Sequence, residues 1–184
     1  MRARPASTHT DVASPSAGSG RSLEEAPADG RLVAVPLDVA LHVPRLVLEE
    51  TFRHFRVCGG GRAECQVLWV GPWNDPARVT GAVHPVHRAH GGGFELDDAW
   101  LTQLWRRLAA NGEGIRAQVH THPWEAFHSA TDDAWPVIHL EGFLSLVIPD
   151  FAMGPVYLER SYLAELGPDG EFREADPFTR LAIV

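Results

Sequence analysis

Alternating apolar and polar positions predict the first regular elements of the chain. Over residues 37–43, leucine and valine alternate with aspartate, alanine and histidine, which is typical of a half-buried strand. Leu48, Phe52 and Phe55 then recur at helical spacing, so a helix is predicted to follow this strand. The glycines at 59–61 are expected to end that helix.

Apolar runs predict two more strands, a second helix and a central strand. Residues 63–70 form a largely buried strand, and residues 78–83 form another strand after a turn. Asp97 caps a helix whose leucine and tryptophan residues make a broad apolar stripe, and the helix ends at 111–112. Residues 115–122 are predicted to be the central strand of the sheet.

The C-terminal part adds more strands. Residues 143–148 form a continuous apolar strand, residues 155–162 are expected to be extended, and residues 163–175 form a hairpin that turns at 167–170. Strands and helices therefore mix along the chain. This order predicts an α/β (α+β) domain with a central mixed or antiparallel sheet flanked by helices.

Composition limits the classes of protein to be considered. Residues 1–30 are rich in small and polar residues without periodicity, so we expect a disordered tail before one domain over residues 31–184. The net charge of −8 disfavours a nucleic-acid partner. No apolar run suits a membrane span or a secretory signal, and two cysteines make no disulfide framework. A cytoplasmic location is the default expectation.

Two histidines one residue apart lie at the end of the central strand. Because side chains alternate along a strand, His120 and His122 point the same way and can share a tetrahedral metal ion. Pro123 stops the strand, and Ser129 is a favourable N-cap for a short helix whose third position is Asp132. This stretch can therefore aim two imidazoles, a carboxylate and a hydroxyl at one point. That is the outline of a zinc hydrolase site with an open position for water.

Three more histidines, His84, His87 and His90, run into the glycines at 91–93. With Pro85 inside the stretch and no helix expected there, we predict a solvated loop. One alternative is a mobile rim that touches substrate. Another is a second metal site, to which the spacing alone gives little support.

The full pattern resembles the JAMM (JAB/MPN) metalloprotease family, in particular its short prokaryotic members. The signature of that family is an upstream glutamate, then His-x-His-Pro, a short loop and Ser-x-x-Asp. Here these positions are occupied by Glu64, by residues 120–123 and by residues 129–132. The resemblance covers residues 35–175 and implies a cytidine-deaminase-like fold of the JAB/MPN type.

The resemblance also implies a role for each matching residue. His120, His122 and Asp132 would hold Zn²⁺ and leave a position for water. Glu64 would act as the general base for that water and later protonate the leaving amine. Ser129 would donate a hydrogen bond to the oxyanion of the tetrahedral intermediate.

One departure from the family pattern concerns the third metal ligand. Seven residues usually separate the second histidine from the serine, whereas residues 123–128 supply only six. Keeping Ser-x-x-Asp intact selects Asp132, while counting onward from His122 by the longer spacing selects Asp133. We prefer Asp132 because the serine-to-aspartate offset lies on a stiff helical turn.

Side chains around the motif have simpler interpretations. Thr121 should point to the opposite face of the strand and pack there. Trp124, Glu125, Phe127 and His128 form a loop beside the metal and can meet substrate. His128 is expected to be exposed, and the alternative is that it supports the metal ligands from behind.

Proteases of this family cut beside the C-terminal glycines of ubiquitin or ubiquitin-like proteins. The resemblance therefore implies a zinc-dependent isopeptidase or processing protease whose partner is a ubiquitin-like protein or its conjugate. One alternative is a non-catalytic scaffold module, although such modules usually lack part of the metal set. Another is a metal hydrolase that acts on a sulfur-carrier protein or a small amide. The sequence leaves the oligomeric state open.

Overall fold

The computed structural model describes residues 40–90 and 93–184 of the chain. The predicted disordered tail and the first part of the predicted strand over 37–43 lie outside these residues. Within the described ranges, no helix has both the length and the apolar character needed to cross a membrane.

Strands make up most of the regular structure in the described residues. In chain order the strands are β1 (Leu41–Val43), β2 (Gln66–Pro72), β3 (Gly81–Val83), β4 (His87–His90), β5 (Gly93–Leu96), β6 (Glu113–Thr121), β7 (Leu144–Ile148), β8 (Tyr162–Leu166), β9 (Phe172–Ala175) and β10 (Leu181–Ile183). The α-helices are α1 (Arg45–Cys58), α2 (Asp98–Asn111), α3 (Ala130–Ala134) and α4 (Pro177–Arg180). A 3₁₀ turn occupies Asp150–Ala152.

Six of the strands form one mixed sheet in the order β3-β2-β6-β7-β8-β9. Only β6 and β7 pair in parallel in this sheet, and the other neighbours are antiparallel. Two small pairs lie beside it: β1 with β10 in parallel and β4 with β5 antiparallel. The mixed α/β (α+β) architecture predicted from the sequence is confirmed, and the histidine strand β6 lies in the interior of the sheet.

Both faces of the sheet are covered, which explains why the strands are almost wholly apolar. Val67 and Trp69 of β2 belong to the core cluster that includes α1. Leu68 and Val70 belong to a second cluster with α2, where Leu104 is buried. A strand that is buried on both sides loses the polar alternation of a half-exposed strand, so a continuous apolar run results.

The helix boundaries follow the capping signals of the sequence. The Asp97 side chain accepts a hydrogen bond from the Trp100 backbone N–H at 2.7 Å, as predicted for the N-cap of α2. Gly112 ends that helix with φ +66°, a left-handed conformation that glycine adopts without steric cost.

Two predictions of secondary structure need correction in the described residues, and two short elements were not predicted. The strand over 78–83 is shorter and begins at Gly81, with Arg78 making only an isolated bridge to His42. Residues 155–161 are not extended, because backbone hydrogen bonds close turns at 155–157 and at 158–161, and only Tyr162 of the predicted stretch belongs to a strand. The short elements α4 and β10 were not predicted, since four and three residues are too few to show a periodic pattern.

The core offers a direct test of a buried hydrogen bond. Thr51 in α1 donates its hydroxyl to the Val47 carbonyl at 2.8 Å and accepts the indole N–H of fully buried Trp69 at 2.9 Å. Thr51→Val keeps the shape but leaves that indole without its acceptor, so the free energy of unfolding should fall by about 1–3 kcal/mol. Urea unfolding followed by circular dichroism measures the change.

The matched control is Thr102→Val in α2. Thr102 makes the same hydrogen bond to a carbonyl four residues earlier, at 2.9 Å, but it is exposed. Its replacement should change the free energy of unfolding by less than about 0.5 kcal/mol. Equal losses in the two variants would show that the indole contact contributes nothing.

Candidate metal centre

The two histidines at the end of β6 lie side by side under nearly complete burial. The side chains of His120 and His122 are 1% and 5% exposed, and their ring centroids are 5.1 Å apart. They face the same way because they are two residues apart on an extended backbone. This part of the motif is arranged as the sequence predicts.

Asp132 approaches both histidines from the first turn of α3. Its Oδ1 lies 3.3 Å from His120 Nε2, and its Oδ2 lies 3.4 Å from His122 Nε2. The three ligand atoms of this group all lie within 4.8 Å of one another. The structure therefore brings together the three side chains that the sequence proposes as ligands.

Ser129 holds this aspartate in position through a capping box, as the sequence predicts. The Ser129 hydroxyl oxygen accepts the Asp132 backbone N–H at 3.2 Å, and the Asp132 carboxylate accepts the Ser129 backbone N–H at 2.8 Å. Accepting with its oxygen leaves the serine O–H hydrogen able to donate to another group.

The electrostatics of the group suit a cation. Burial lowers the pKa of the His120 imidazole, which favours the neutral form that binds metals. Burial by itself raises the pKa of the Asp132 carboxyl, but hydrogen bonds from His120, His122 and Ser129 outweigh it and hold the pKa well below its usual range. Two imidazoles and one carboxylate are a donor set that fits a divalent metal ion with a further position left open.

Asp133, the alternative ligand, faces elsewhere. Its Oδ1 lies 2.7 Å from Nδ1 of His128, and its side chain is about half exposed. Successive residues on a helix are about 100° apart, so Asp132 and Asp133 cannot both face the two histidines of β6. The geometry favours Asp132, and its assignment as a ligand stays a prediction.

The expectation that His128 is exposed is wrong. Its side chain is only 4% exposed, because the ring packs against Phe172 at a centroid distance of 4.5 Å and against Tyr162 at 6.5 Å. The ring Nε2 also lies 2.9 Å from the Ser145 hydroxyl of β7. His128 therefore supports the loop from behind and does not form part of its surface.

A polar network that was not predicted from the sequence continues from this histidine. Gln118 donates to the Ser145 hydroxyl at 3.0 Å and accepts the Val137 backbone N–H at 3.0 Å. Gln118 and Ser145 are both buried in otherwise apolar strands. A polar residue inside a continuous apolar run costs free energy unless it is hydrogen-bonded, and that signal could have identified both residues.

A cleft of about 390 Å³ opens over the candidate ligands. Glu64, which lies just before β2, and Ser129 both contribute to its walls. The rim carries Trp124, Phe127 and Trp135, whose exposed fractions are 77%, 52% and 78%. The structure thus places all the predicted site residues around one cleft. It adds Trp135 as a wall residue that the sequence analysis did not single out.

A left-handed turn supports the loop that forms this rim. Asp150, Phe151 and Ala152 have φ values of 54°, 52° and 58°, which are unfavourable for residues other than glycine. The turn nevertheless donates two backbone hydrogen bonds to the loop, from Phe151 to the His122 carbonyl at 2.8 Å and from Asp150 to the Trp124 carbonyl at 3.0 Å. The strained backbone therefore holds the chain in place directly after the second histidine.

Thr121, between the two histidines, is fully buried, as the packing prediction requires. It also has a second contact, since its hydroxyl accepts the Cys65 backbone N–H at 3.1 Å. The end of the histidine strand is thereby tied to the segment that carries Glu64.

The prediction of a solvated loop at His84, His87 and His90 is wrong. His87 and His90 belong to β4 of a hairpin, and the side chains of His84 and His87 are only partly exposed. They pack beside Cys58 and Cys65, which are distant in sequence and were therefore not linked to them.

No protein-family model matches the chain. A probable metalloprotease, y4jG, of Sinorhizobium fredii (strain NBRC 101917 / NGR234) is 34% identical over 132 residues, which cover 69% of this chain and 76% of that protein. Among solved structures, a Desulfitobacterium hafniense protein determined in solution has a TM-score of 0.53 and 17% identity, over 73% of this chain and 89% of that one. A JAB1/MPN domain protein of Archaeoglobus fulgidus has a TM-score of 0.47 and 12% identity, over 79% and 98%.

Proposed function

This chain belongs to the JAMM (JAB/MPN) metalloprotease family, and from that membership we propose that it is a zinc-dependent isopeptidase or processing protease. Its substrate would be a ubiquitin-like protein, cut at the C-terminal glycine end either from a conjugate or from a precursor. The observation that carries the proposal is that the ligand group, Glu64 and Ser129 line the same cleft.

Zinc is the metal proposed for the cleft. His120, His122 and Asp132 would hold it, and catalytic zinc sites characteristically use three nitrogen or oxygen ligands of this kind. When bound, such an ion lowers the pKa of a coordinated water from about 15.7 to about 7 and polarises the substrate carbonyl.

The chain's own residues would carry the proton transfers and stabilise charge. Glu64 accepts the proton of the attacking water and later gives it to the leaving amine. Ser129 donates its O–H to the substrate oxygen as that oxygen becomes negatively charged, and a donor of this kind contributes about 3–4 kcal/mol in other hydrolases. The capping contact with Asp132 and the network through His128 hold the serine and the helix in place.

The rim of the cleft supports a protein tail as the substrate. Trp124 and Trp135 expose large apolar surfaces, which are uncommon outside binding sites. Both side chains line the cleft that contains the ligand group, so they can make apolar contacts with an extended peptide bound there. Glycines at the scissile bond have no side chains, so the backbone can come close to Glu64 and Ser129.

The test is cleavage of a ubiquitin-like fusion that joins its terminal glycines to a reporter through a peptide or a lysine isopeptide bond. Trp124→Ala and Trp135→Ala should each lower kcat/KM for this fusion about tenfold or more, equal to about 1.4 kcal/mol of lost transition-state binding. Hydrolysis of a short glycine amide should change much less, because it does not reach the rim.

Phe178→Ala is the matched control, since Phe178 is 64% exposed but does not line the cleft. The Phe178→Ala variant should cleave the fusion at the wild-type rate. Hydrolysis of the small amide with no cleavage of the fusion would favour a small-amide hydrolase. Binding of the fusion by zinc-loaded protein without hydrolysis of either substrate would favour the scaffold function.

A further inference from the structure

A second group of metal-ligating side chains lies outside the walls of the cleft. It consists of Cys58, Cys65, His84 and His87, and one ligand atom from each lies within 4.8 Å of all the others. Cys58 Sγ is 3.4 Å from His87 Nε2, and Cys65 Sγ is 3.2 Å from His84 Nε2. We infer that these four residues bind a structural zinc ion.

Two of the distances between ligand atoms are close to those of a tetrahedral zinc site. Zinc bonds of about 2.0 Å to nitrogen and 2.3 Å to sulfur place the ligand atoms of a tetrahedron roughly 3.3–3.8 Å apart. The Cys58–His87 distance of 3.4 Å lies in that range, and the Cys65–His84 distance of 3.2 Å lies about 0.1 Å below it. The ligand atoms of the other pairs are at most 4.8 Å apart, and a bound ion would draw them closer.

The two cysteines meet because of the turn between them. Cys58 ends α1, and the chain then reverses through Gly60 and Gly61, whose φ values are +57° and +69°. Gly59 has no room for a side chain, because a Cβ there would lie 2.3 Å from a backbone oxygen four residues ahead. The triglycine thus folds the chain tightly enough to bring Cys65 beside the helix end.

The histidine rings are oriented for binding. His87 Nδ1 lies 3.0 Å from the Pro85 carbonyl oxygen, so that ring nitrogen can donate while Nε2 faces Cys58. A backbone carbonyl that holds the second ring nitrogen in this way is the usual partner of a metal-bound histidine. His84 is held by the ring of His54, stacked at a centroid distance of 5.4 Å.

The composition of the group indicates a structural role. Two cysteines and two histidines form a closed set of four ligands, which leaves no position for water or substrate. Thiolate and imidazole together favour zinc over calcium or magnesium, which prefer oxygen ligands. The ion would join the end of α1, the start of β2 and the base of the β4–β5 hairpin.

This ion would also hold the segment that carries the proposed general base. Cys65 directly follows Glu64, and its backbone N–H and carbonyl both bond to Thr121 at 3.1 Å. Thr121 lies between His120 and His122. A ligand at Cys65 therefore restrains Glu64 relative to the two histidines.

Metal analysis of the full chain tests the inference. Protein loaded with zinc under reducing conditions and passed through gel filtration should hold about two zinc ions per chain by the coordination argument. Cys58→Ser and His87→Ala should each hold about one, and so should Asp132→Asn, which affects the cleft. Cys58 is exposed, so its replacement should leave the fold intact.

Cobalt loading separates the two sites without an activity assay. A thiolate ligand gives Co²⁺ an intense near-ultraviolet charge-transfer absorption that histidine and carboxylate ligands do not give. Wild type and Asp132→Asn should both show this absorption, whereas Cys58→Ser should lose most of it. The outcome does not depend on whether the cleft cleaves a ubiquitin-like substrate.

His139→Ala is the control, because His139 is an exposed histidine that belongs to neither ligand group. This variant should keep about two zinc ions per chain by the same argument. About one zinc ion per wild-type chain without the thiolate–cobalt absorption would overturn the inference. A disulfide between Cys58 and Cys65 in reductant-treated protein would overturn it as well.

Discussion

Glu64→Gln should lower kcat for cleavage of a ubiquitin-like fusion by about 10²–10⁴-fold, the range that general acid–base groups contribute. Glutamine keeps the size and the hydrogen-bonding capacity of the side chain but cannot accept the proton of the attacking water. Glu64 lines the cleft with His120 and His122 but does not belong to the ligand group. The variant should therefore keep its metal, and KM should change little.

The control for this variant is Glu125→Gln. Glu125 is the other glutamate that lines the cleft, but it lies on the exposed rim loop after Trp124. A change in charge at the rim should affect kcat/KM by less than about tenfold, since charges at the rim act mainly on the rate at which substrate and enzyme associate. Equal losses in the two variants, or full activity of Glu64→Gln, would exclude Glu64 as the base.

Asp132→Asn should remove metal from the cleft. Replacing a residue that only supports a metal ligand typically lowers the metal affinity roughly 10–100-fold, and replacing the proposed ligand itself should lower it further. Asparagine can still cap α3 by accepting the Ser129 backbone N–H, so the helix should stay folded. What it loses is the negative charge between His120 and His122. Competition against a chelator of known affinity measures the change, and cleavage should be lost in parallel.

Asp133→Asn is the matched control, one position along the same helix. It alters the contact with His128 and leaves the two histidines of β6 untouched, so the metal should be retained. The reverse result, with metal lost from Asp133→Asn and kept by Asp132→Asn, would make Asp133 the ligand. If the His122→Ala variant bound as much metal in the cleft as the wild type, the proposed site would have no basis.

The two proposed metal positions differ in how far sequence could lead to them. The proposed ligands of the cleft come from one short stretch, so the alternation of a strand aligns His120 with His122, and the offset of a capping box favours Asp132 over Asp133. Cys58 ends α1 and His87 begins β4, while Cys65 and His84 lie in the segments before β2 and after β3, and the four follow no familiar zinc spacing. The prediction of a solvated loop for the histidines failed because turns and strand pairing bring His84 and His87 beside the two cysteines.

By itself, the sequence determined the class of the fold, the helices α1 and α2, the strands of the central sheet and the capping box at Ser129. Each of these depends on periodicity or on contacts between residues close in the chain, which short-range physics controls. It also contained the family resemblance, since Glu64 and the histidine motif occur in a recognisable order.

Only the tertiary structure decided which of the two aspartates faces the histidines, and it buried His128 behind the rim loop. The first depends on how α3 docks against the end of β6, and the second on how the loop before α3 packs against β7, β8 and β9. Local pattern does not encode either arrangement. The same holds for the pairing of β1 with β10 and for the cysteine–histidine group. Such contacts join residues far apart in sequence, and their free energy is gained only when the whole core has assembled.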